Sequence, residues 1–212
     1  TAKQEENPLV ILNGTLIDGT TCTGSVTIPD GVTSIAGGAF DSCTGLTAIA
    51  IPKSVTSIGD SAFYRCTSLT EITIPDSVTS MGDYVFDGCT GLTKVTMPDS
   101  ITSISDYAFR SCTGLTEVTI PDSVTSIGDY AFRDSTGLTK IVIPDSVTSI
   151  GDSAFDNCDN LIIYGHTGSF AETYAKEHGI QFAAYTFGDL DNSGKVDSTD
   201  IFYTCLLYTS PS

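Results

Sequence analysis

Residues 188–200 read Gly-Asp-Leu-Asp-Asn-Ser-Gly-Lys-Val-Asp-Ser-Thr-Asp. Counted from Asp189, oxygen-bearing side chains fall at positions one, three, five, nine and twelve, with glycine at six and valine at eight. This is calcium-loop spacing: hard oxygen donors wrap one cation, Gly194 permits the sharp turn, and Lys195 offers its carbonyl. Position twelve is Asp200, which reaches less far than glutamate for a bidentate contact. Weak calcium binding is therefore the expectation.

A second set of reactive side chains recurs at a fixed interval. Cys43, Cys66, Cys89, Cys112 and Cys158 stand 23 residues or twice that apart, with Ser135 in the skipped slot. Side chains stacked one coil apart, about 4.8 Å, lie within disulfide range but point the same way, which is poor bridge geometry. The expectation is a column of buried thiols filling a tight corner, a slot that serine also fits. A column does not converge on one point, as a metal requires. The chain has seven cysteines, including Cys22 and Cys205, so pairing cannot be complete.

Two aspartate columns share the period: Asp76, Asp99, Asp122 and Asp145, and Asp60, Asp83, Asp106, Asp129 and Asp152. Single carboxylates a coil apart supply too few oxygens for calcium, so these are expected to cap local amides and face water. The only histidines are His166 and His178, both near the C-terminal end of the repeats. Catalytic groups would interrupt the repeat, and none does so; the chain is not expected to be an enzyme.

The elements that must position these residues come from the repeat itself. Proline recurs at 29, 52, 75, 98, 121 and 144, phenylalanine at 40, 63, 86, 109, 132 and 155, and leucine at 46, 69, 92, 115, 138 and 161. Within one unit, Leu115 to Ile120 suits a strand, with Val118 and Ile120 on one face and Glu117 and Thr119 on the other. Pro121 ends it, Asp122 and Ser123 supply a turn, and Val124 to Ile127 is a second extended piece. Asp129 is placed as an N-cap opening a brief helical turn through Ala131 and Phe132. No unit could fold alone, but stacked units share one core.

These residues resemble the BspA-like leucine-rich repeat family over roughly Val26 to Tyr164. The resemblance implies an α/β repeat solenoid with a parallel β-sheet on one face, short helical turns opposite, and a protein of bacterial surfaces or secretions that binds proteins or host surfaces. The residues place extra strands at Leu9 to Leu16 and a C-terminal capping helix opened by the capping-box spacing Ser169-Phe-Ala-Glu172. Ala171, Tyr174 and Ala175 are expected to face the last coil, Gly179 to stop the helix, and Ile180 and Phe182 to add a final strand. The expected division is an N-terminal cap at 1–25, repeats at 26–163, a C-terminal cap at 164–184, a partial calcium-loop module at 185–205, and a non-native tail at 206–212.

The outward strand positions form a candidate ligand face: Glu71, Thr73, Lys94, Thr96, Glu117, Thr119 and Lys140. Its signs alternate, which sets opposite charges side by side on neighbouring strands. Solubility and register control are the favoured explanation of that pattern, and a ligand platform is the functional alternative. No aromatic or arginine cluster marks a hot spot on this face.

The calcium loop resembles the first repeat of a dockerin, the module that plugs cargo into cohesins of cellulosome scaffolds. The resemblance implies that Asp189, Asp191, Ser193, Lys195, Asp197 and Asp200 ligate Ca2+ and that Ser198 and Thr199 contact cohesin. A dockerin has two such repeats, and Ile201 to Ser212 matches none; that stretch resembles adapter read-through at the end of a truncated gene.

Composition narrows the function classes. Twenty-six acids against nine bases give a formal charge of -17, which repels nucleic acid and anionic lipid. With 40% hydrophobic residues the chain is not a disordered acidic tail. No apolar run approaches the roughly 20 residues that span a bilayer, and no signal peptide is visible at Thr1 to Asn7. The reading is a secreted or cell-surface binding or adhesion module carrying a dockerin-type tether. A structural spacer is the alternative, and an accessory module of a polysaccharide-degrading enzyme a further one.

Overall fold

Each 23-residue coil folds as one longer and one two-residue strand, because β-branched pairs alternate with Pro-Asp-Ser and Gly-Asp turns. The structure, a computed structural model, describes residues 9–184. A hairpin of β1 (Val10–Leu12) and β2 (Thr15–Asp18) comes first. Then, coil by coil, follow β3 (Gly24–Thr27) with β4 (Ser34–Ile35), β5 (Leu46–Ala50) with β6 (Ser57–Ile58), and β7 (Glu71–Thr73) with β8 (Ser80–Met81). The next coils carry β9 (Lys94–Thr96) with β10 (Ser103–Ile104), β11 (Glu117–Thr119) with β12 (Ser126–Ile127), and β13 (Lys140–Val142) with β14 (Ser149–Ile150). The chain closes with β15 (Ile162–Gly165), α1 (Phe170–Glu177) and β16 (Gln181–Ala184).

Equivalent strands pair parallel and in register, so Val118 lies opposite Ile141 and Ser126 opposite Ser149. The repeat therefore forms a solenoid. Its longer strands do not make one unbroken sheet. They hydrogen-bond in three groups, β3–β5, β7–β9 and β11–β13–β15–β16. The short strands form a second parallel ladder in two groups, and the expected extra N-terminal strands, β1 and β2, extend the first of them over the opening coil.

The core is a set of columns. Phe40, Phe63, Phe86, Phe109, Phe132 and Phe155 stack face to face, successive centroids 5.2 to 5.4 Å apart. Each of the first five is fully buried. Tyr174 of α1 ends the stack edge-on to Phe155 at 6.0 Å, so the capping helix continues the aromatic column instead of merely covering it.

The wall opposite the longer strands is built from short i→i+3 turns, for example Arg110 N–H to the Tyr107 carbonyl at 3.1 Å. The N-cap placement of Asp129 does not hold. Tyr130, the next residue, has φ +57°, in the left-handed region that no helix allows. The Asp129 carboxylate instead accepts the backbone N–H of Asp152, one coil on, at 2.8 Å, as Asp106 accepts from Asp129. The Gly-Asp pairing follows from this contact: a Cβ at Gly128 would collide with the Asp106 carboxylate.

The C-terminal cap forms as its residues suggest. Ser169 Oγ accepts the Glu172 N–H at 3.2 Å, and Glu172 accepts back from Gly168 N–H at 2.6 Å. Ala171, Tyr174 and Ala175 are buried, Gly179 takes φ +68° just past the helix, and β16 adds to β15. Among the described residues no helix is long and apolar enough to cross a membrane.

Candidate functional site

Strand alternation puts Glu71, Thr73, Lys94, Thr96, Glu117, Thr119 and Lys140 on the outer face of β7, β9, β11 and β13, while Ile72, Val118 and Ile141 point into the core. Glu71 lies opposite Lys94 and Glu117 opposite Lys140 in the ladder. Only the second pair closes, with Lys140 Nζ 3.3 Å from the Glu117 carboxylate; Lys140 also sits 5.5 Å over the Tyr164 ring. Glu71 and Lys94 form no ion pair among the described residues. The face is thus divided. The charges of its C-terminal half are paired with each other, and its N-terminal half presents exposed Glu71, Thr73, Lys94 and Thr96. Thr119 differs from the other threonines: its hydroxyl is buried and lacks a partner.

The thiol column has a role the spacing does not reveal. Four Sγ–H groups point at the phenylalanine carbonyl of the preceding coil, Cys66 to Phe40, Cys89 to Phe63, Cys112 to Phe86 and Cys158 to Phe132, at 3.0 to 3.2 Å, and Cys43 points at the Cys22 carbonyl at 3.0 Å. Ser135 Oγ makes the same bond to Phe109 at 2.7 Å, so serine substitutes here as a donor as well as by size. The six described cysteines are free and buried. Burial pushes up the thiols of Cys112 and Cys158, the latter to about 12, and a hydrogen bond from Cys89 together with burial raises Cys66. With Cys205 replaced by serine, the folded protein should take up no thiol reagent over minutes at neutral pH, whereas the urea-unfolded chain exposes six thiols. Uptake of one equivalent by the folded chain would contradict this arrangement.

In the second aspartate column Asp60, Asp106 and Asp129 each accept the backbone N–H of the aspartate one coil on. Among the described residues no cluster of three or more His, Cys, Asp or Glu side chains could hold a metal ion. His166 meets Asp145 at 2.6 Å, and His178, the C-cap of α1, stacks on Tyr174 at 3.9 Å with its Nδ1 2.9 Å from the Tyr174 carbonyl. These contacts hold the cap against the last coils. The calcium-loop residues Asp189, Asp191, Ser193, Lys195, Asp197 and Asp200, with Ser198 and Thr199, lie outside the described residues.

One cluster escaped the sequence reading. Tyr84, Tyr107 and Tyr130 stack at 4.4 and 4.8 Å on the turn wall, all with φ near +57°. All three arginines of the chain lie against this wall: Arg110 5.2 Å over Tyr107, Arg133 5.3 Å over Tyr130 and Arg65 5.0 Å over Tyr64. Arg110 forks onto Asp87, whose carboxylate is buried, with bonds of 3.1 and 2.7 Å. Burial raises the Asp87 carboxyl above its ordinary range, against the downward pull of the guanidinium. Tyrosine in the same slot of three successive repeats, with arginine three residues on in two of them, was the available signal. The ridge is mostly satisfied from within, since its ring faces are stacked and Arg110 is engaged.

A sequence profile described as the BspA type leucine-rich repeat region matches residues 18–136 in six copies. No curated protein matches the chain significantly. Among solved structures, a leucine-rich repeat protein from Eubacterium ventriosum is 30% identical over 68% of this chain and 46% of its own, with a TM-score of 0.57. The pneumococcal vaccine antigen PcpA is 13% identical over 77% of this chain and 56% of its own, with a TM-score of 0.54, a likeness of fold alone. A leucine-rich cell surface protein from Faecalibacterium prausnitzii is 26% identical over 72% of this chain and 62% of its own, with a TM-score of 0.38. The chain spans less than two thirds of the length of each of these proteins.

Proposed function

Because the chain belongs to the BspA type leucine-rich repeat family, we propose that it is an extracellular, non-enzymatic binding or adhesion module that takes a protein or surface ligand on its longer-strand face. One observation carries the reading: Glu71 and Lys94 stand opposite each other on that face, exposed and without an ion pair among the described residues, beside Thr73 and Thr96. Exposed polar groups with no partner among the described residues are available to a ligand; the Glu117–Lys140 pair is not. The acidic rod disfavours nucleic acid and anionic lipid as that ligand.

The test is retention of secreted proteins and plant polysaccharides on immobilised full-length chain. A K94E variant should lose what the parent retains, and a T102R variant, altered on the second ladder, should keep it. Retention of nothing specific by the parent would sink the reading and leave a spacer.

We propose in addition that residues 185–205 form a dockerin-type tether to a cohesin-bearing scaffold, which would serve the module's delivery to a surface or complex. The support is the loop spacing alone. Asp189, Asp191, Ser193, Lys195, Asp197 and Asp200 would hold one calcium ion, and Ser198 and Thr199 would face cohesin. Calorimetric titration should show weak binding of one calcium ion, abolished by D191A; no heat from the parent chain would exclude it.

A further inference from the structure

Coil two departs from the repeat at three outward positions. Ala48 stands where later coils carry Glu71, Lys94, Glu117 and Lys140; Ala50 replaces the threonine of the next three coils; Lys53 replaces the aspartate of the Pro-Asp-Ser turn. In the sequence these are scattered small changes. In the structure all three line one groove of about 650 Å³, within the range of ligand sites.

The groove opens where the ladder is broken. Ile28, Ile74, Ile120 and Ile143 each donate a backbone N–H to the next coil, at 2.9 to 3.1 Å. Ile51, the equivalent residue of coil two, makes no such bond, and β5 and β7 are not hydrogen-bonded. The same is true of Met97, in the column's other break between β9 and β11. Those two side chains are only partly buried, whereas Ile28, Ile74, Ile120 and Ile143 are at most 2% exposed. Both line the groove. Alanines at 48 and 50 clear space beside Ile51 and Met97, which follow β5 and β9 and stay partly exposed.

The rim is bipolar. Lys53 is exposed and forms no ion pair among the described residues; Glu71 and Asp76, also exposed, line the groove with it. No aromatic ring lines it, so it offers no flat platform for a sugar. An apolar floor, a backbone donor at Ile51 with no bond among the described residues, and charges of both signs together match a peptide. On the reading that the longer-strand face is the ligand face, we propose that this groove is its anchor site and that the occupant is an extended peptide segment of another protein. An aliphatic or aromatic side chain of that segment sits over Ala48 and Ala50, and a neighbouring acidic residue pairs with Lys53.

The test restores the repeat. The triple variant A48K/A50T/K53D gives coil two the residues of its neighbours, with a lysine opposite Glu71, so it should unfold at the parent's temperature or above. Panning a phage-displayed random peptide library on the full-length parent should enrich peptides carrying Leu, Ile or Phe beside Asp or Glu. Their binding should fall at least tenfold on the triple variant, and K53D alone should remove the preference for the acidic residue. Failure to enrich any such peptide, or enriched peptides that bind the folded triple variant unchanged, overturns the proposal. The face reading is judged separately: secreted ligand retained by the triple variant but lost on K94E would place binding on the face outside this groove.

Discussion

Phe109→Ala lowers the stability of the solenoid by about 3–5 kcal/mol. The ring is fully buried and stacks on Phe86 at 5.4 Å and Phe132 at 5.2 Å, so its removal opens a void between two coils that cannot close without moving both. Stability in a solenoid is close to a sum over coils and the interfaces between neighbours. A void in a central coil therefore weakens two interfaces at once. Phe40→Ala provides the contrast, because among the described residues Phe40 stacks on one ring, that of Phe63. Urea unfolding followed by circular dichroism should show the larger loss, and a broader transition, for the central substitution. A loss below about 1 kcal/mol for Phe109→Ala would mean that the column does not hold the coils together.

Arg110→Ala should cost about 3 kcal/mol at pH 7, at the low end for breaking a buried pair because the arginine is a third exposed. The cost comes from Asp87, which stays buried after its partner is gone. Its pH dependence runs opposite to that of most carboxylates. Burial already raises the folded Asp87 carboxyl above the ordinary value of 3.8, and losing the guanidinium raises it further. A group whose folded pKa is raised favours the protonated form on folding, so the penalty is full above the folded pKa and fades as pH falls toward 3.8. Urea midpoints of parent and variant should therefore differ widely at pH 7 and converge near pH 4. D87N/R110A, which removes the charge as well, should recover most of the loss at pH 7. A gap between parent and R110A that stays constant with pH would assign the effect to lost packing over Tyr107 instead.

Most of the architecture was legible in the residues, for an identifiable reason. A constant period of 23 makes every consensus residue a column, so stacked phenylalanines, buried thiols and an outward charged column follow from spacing alone. The cap was legible because Ser169, Glu172 and Gly179 act within a few residues of one another. The placement of Asp129 failed because its partner is the amide of Asp152, and local capping rules do not reach across coils. The tyrosine ridge was overlooked although its spacing was visible: the left-handed backbone at Tyr84, Tyr107 and Tyr130 belongs to the turn, since Ser61 and Ser153 share it in the same slot, and the rings meet only between adjacent coils.

By itself, then, the amino-acid sequence determined which side chains share a column and which of them point inward, because both depend only on the period and on strand alternation. The tertiary structure alone decided which columns are hydrogen-bonded coil to coil, where the longer-strand ladder breaks, and that Ala48, Ala50 and Lys53 meet at one groove. Those outcomes depend on the rise and twist from each coil to the next. Rise and twist are set by packing summed over the whole stack, and no single repeat encodes them.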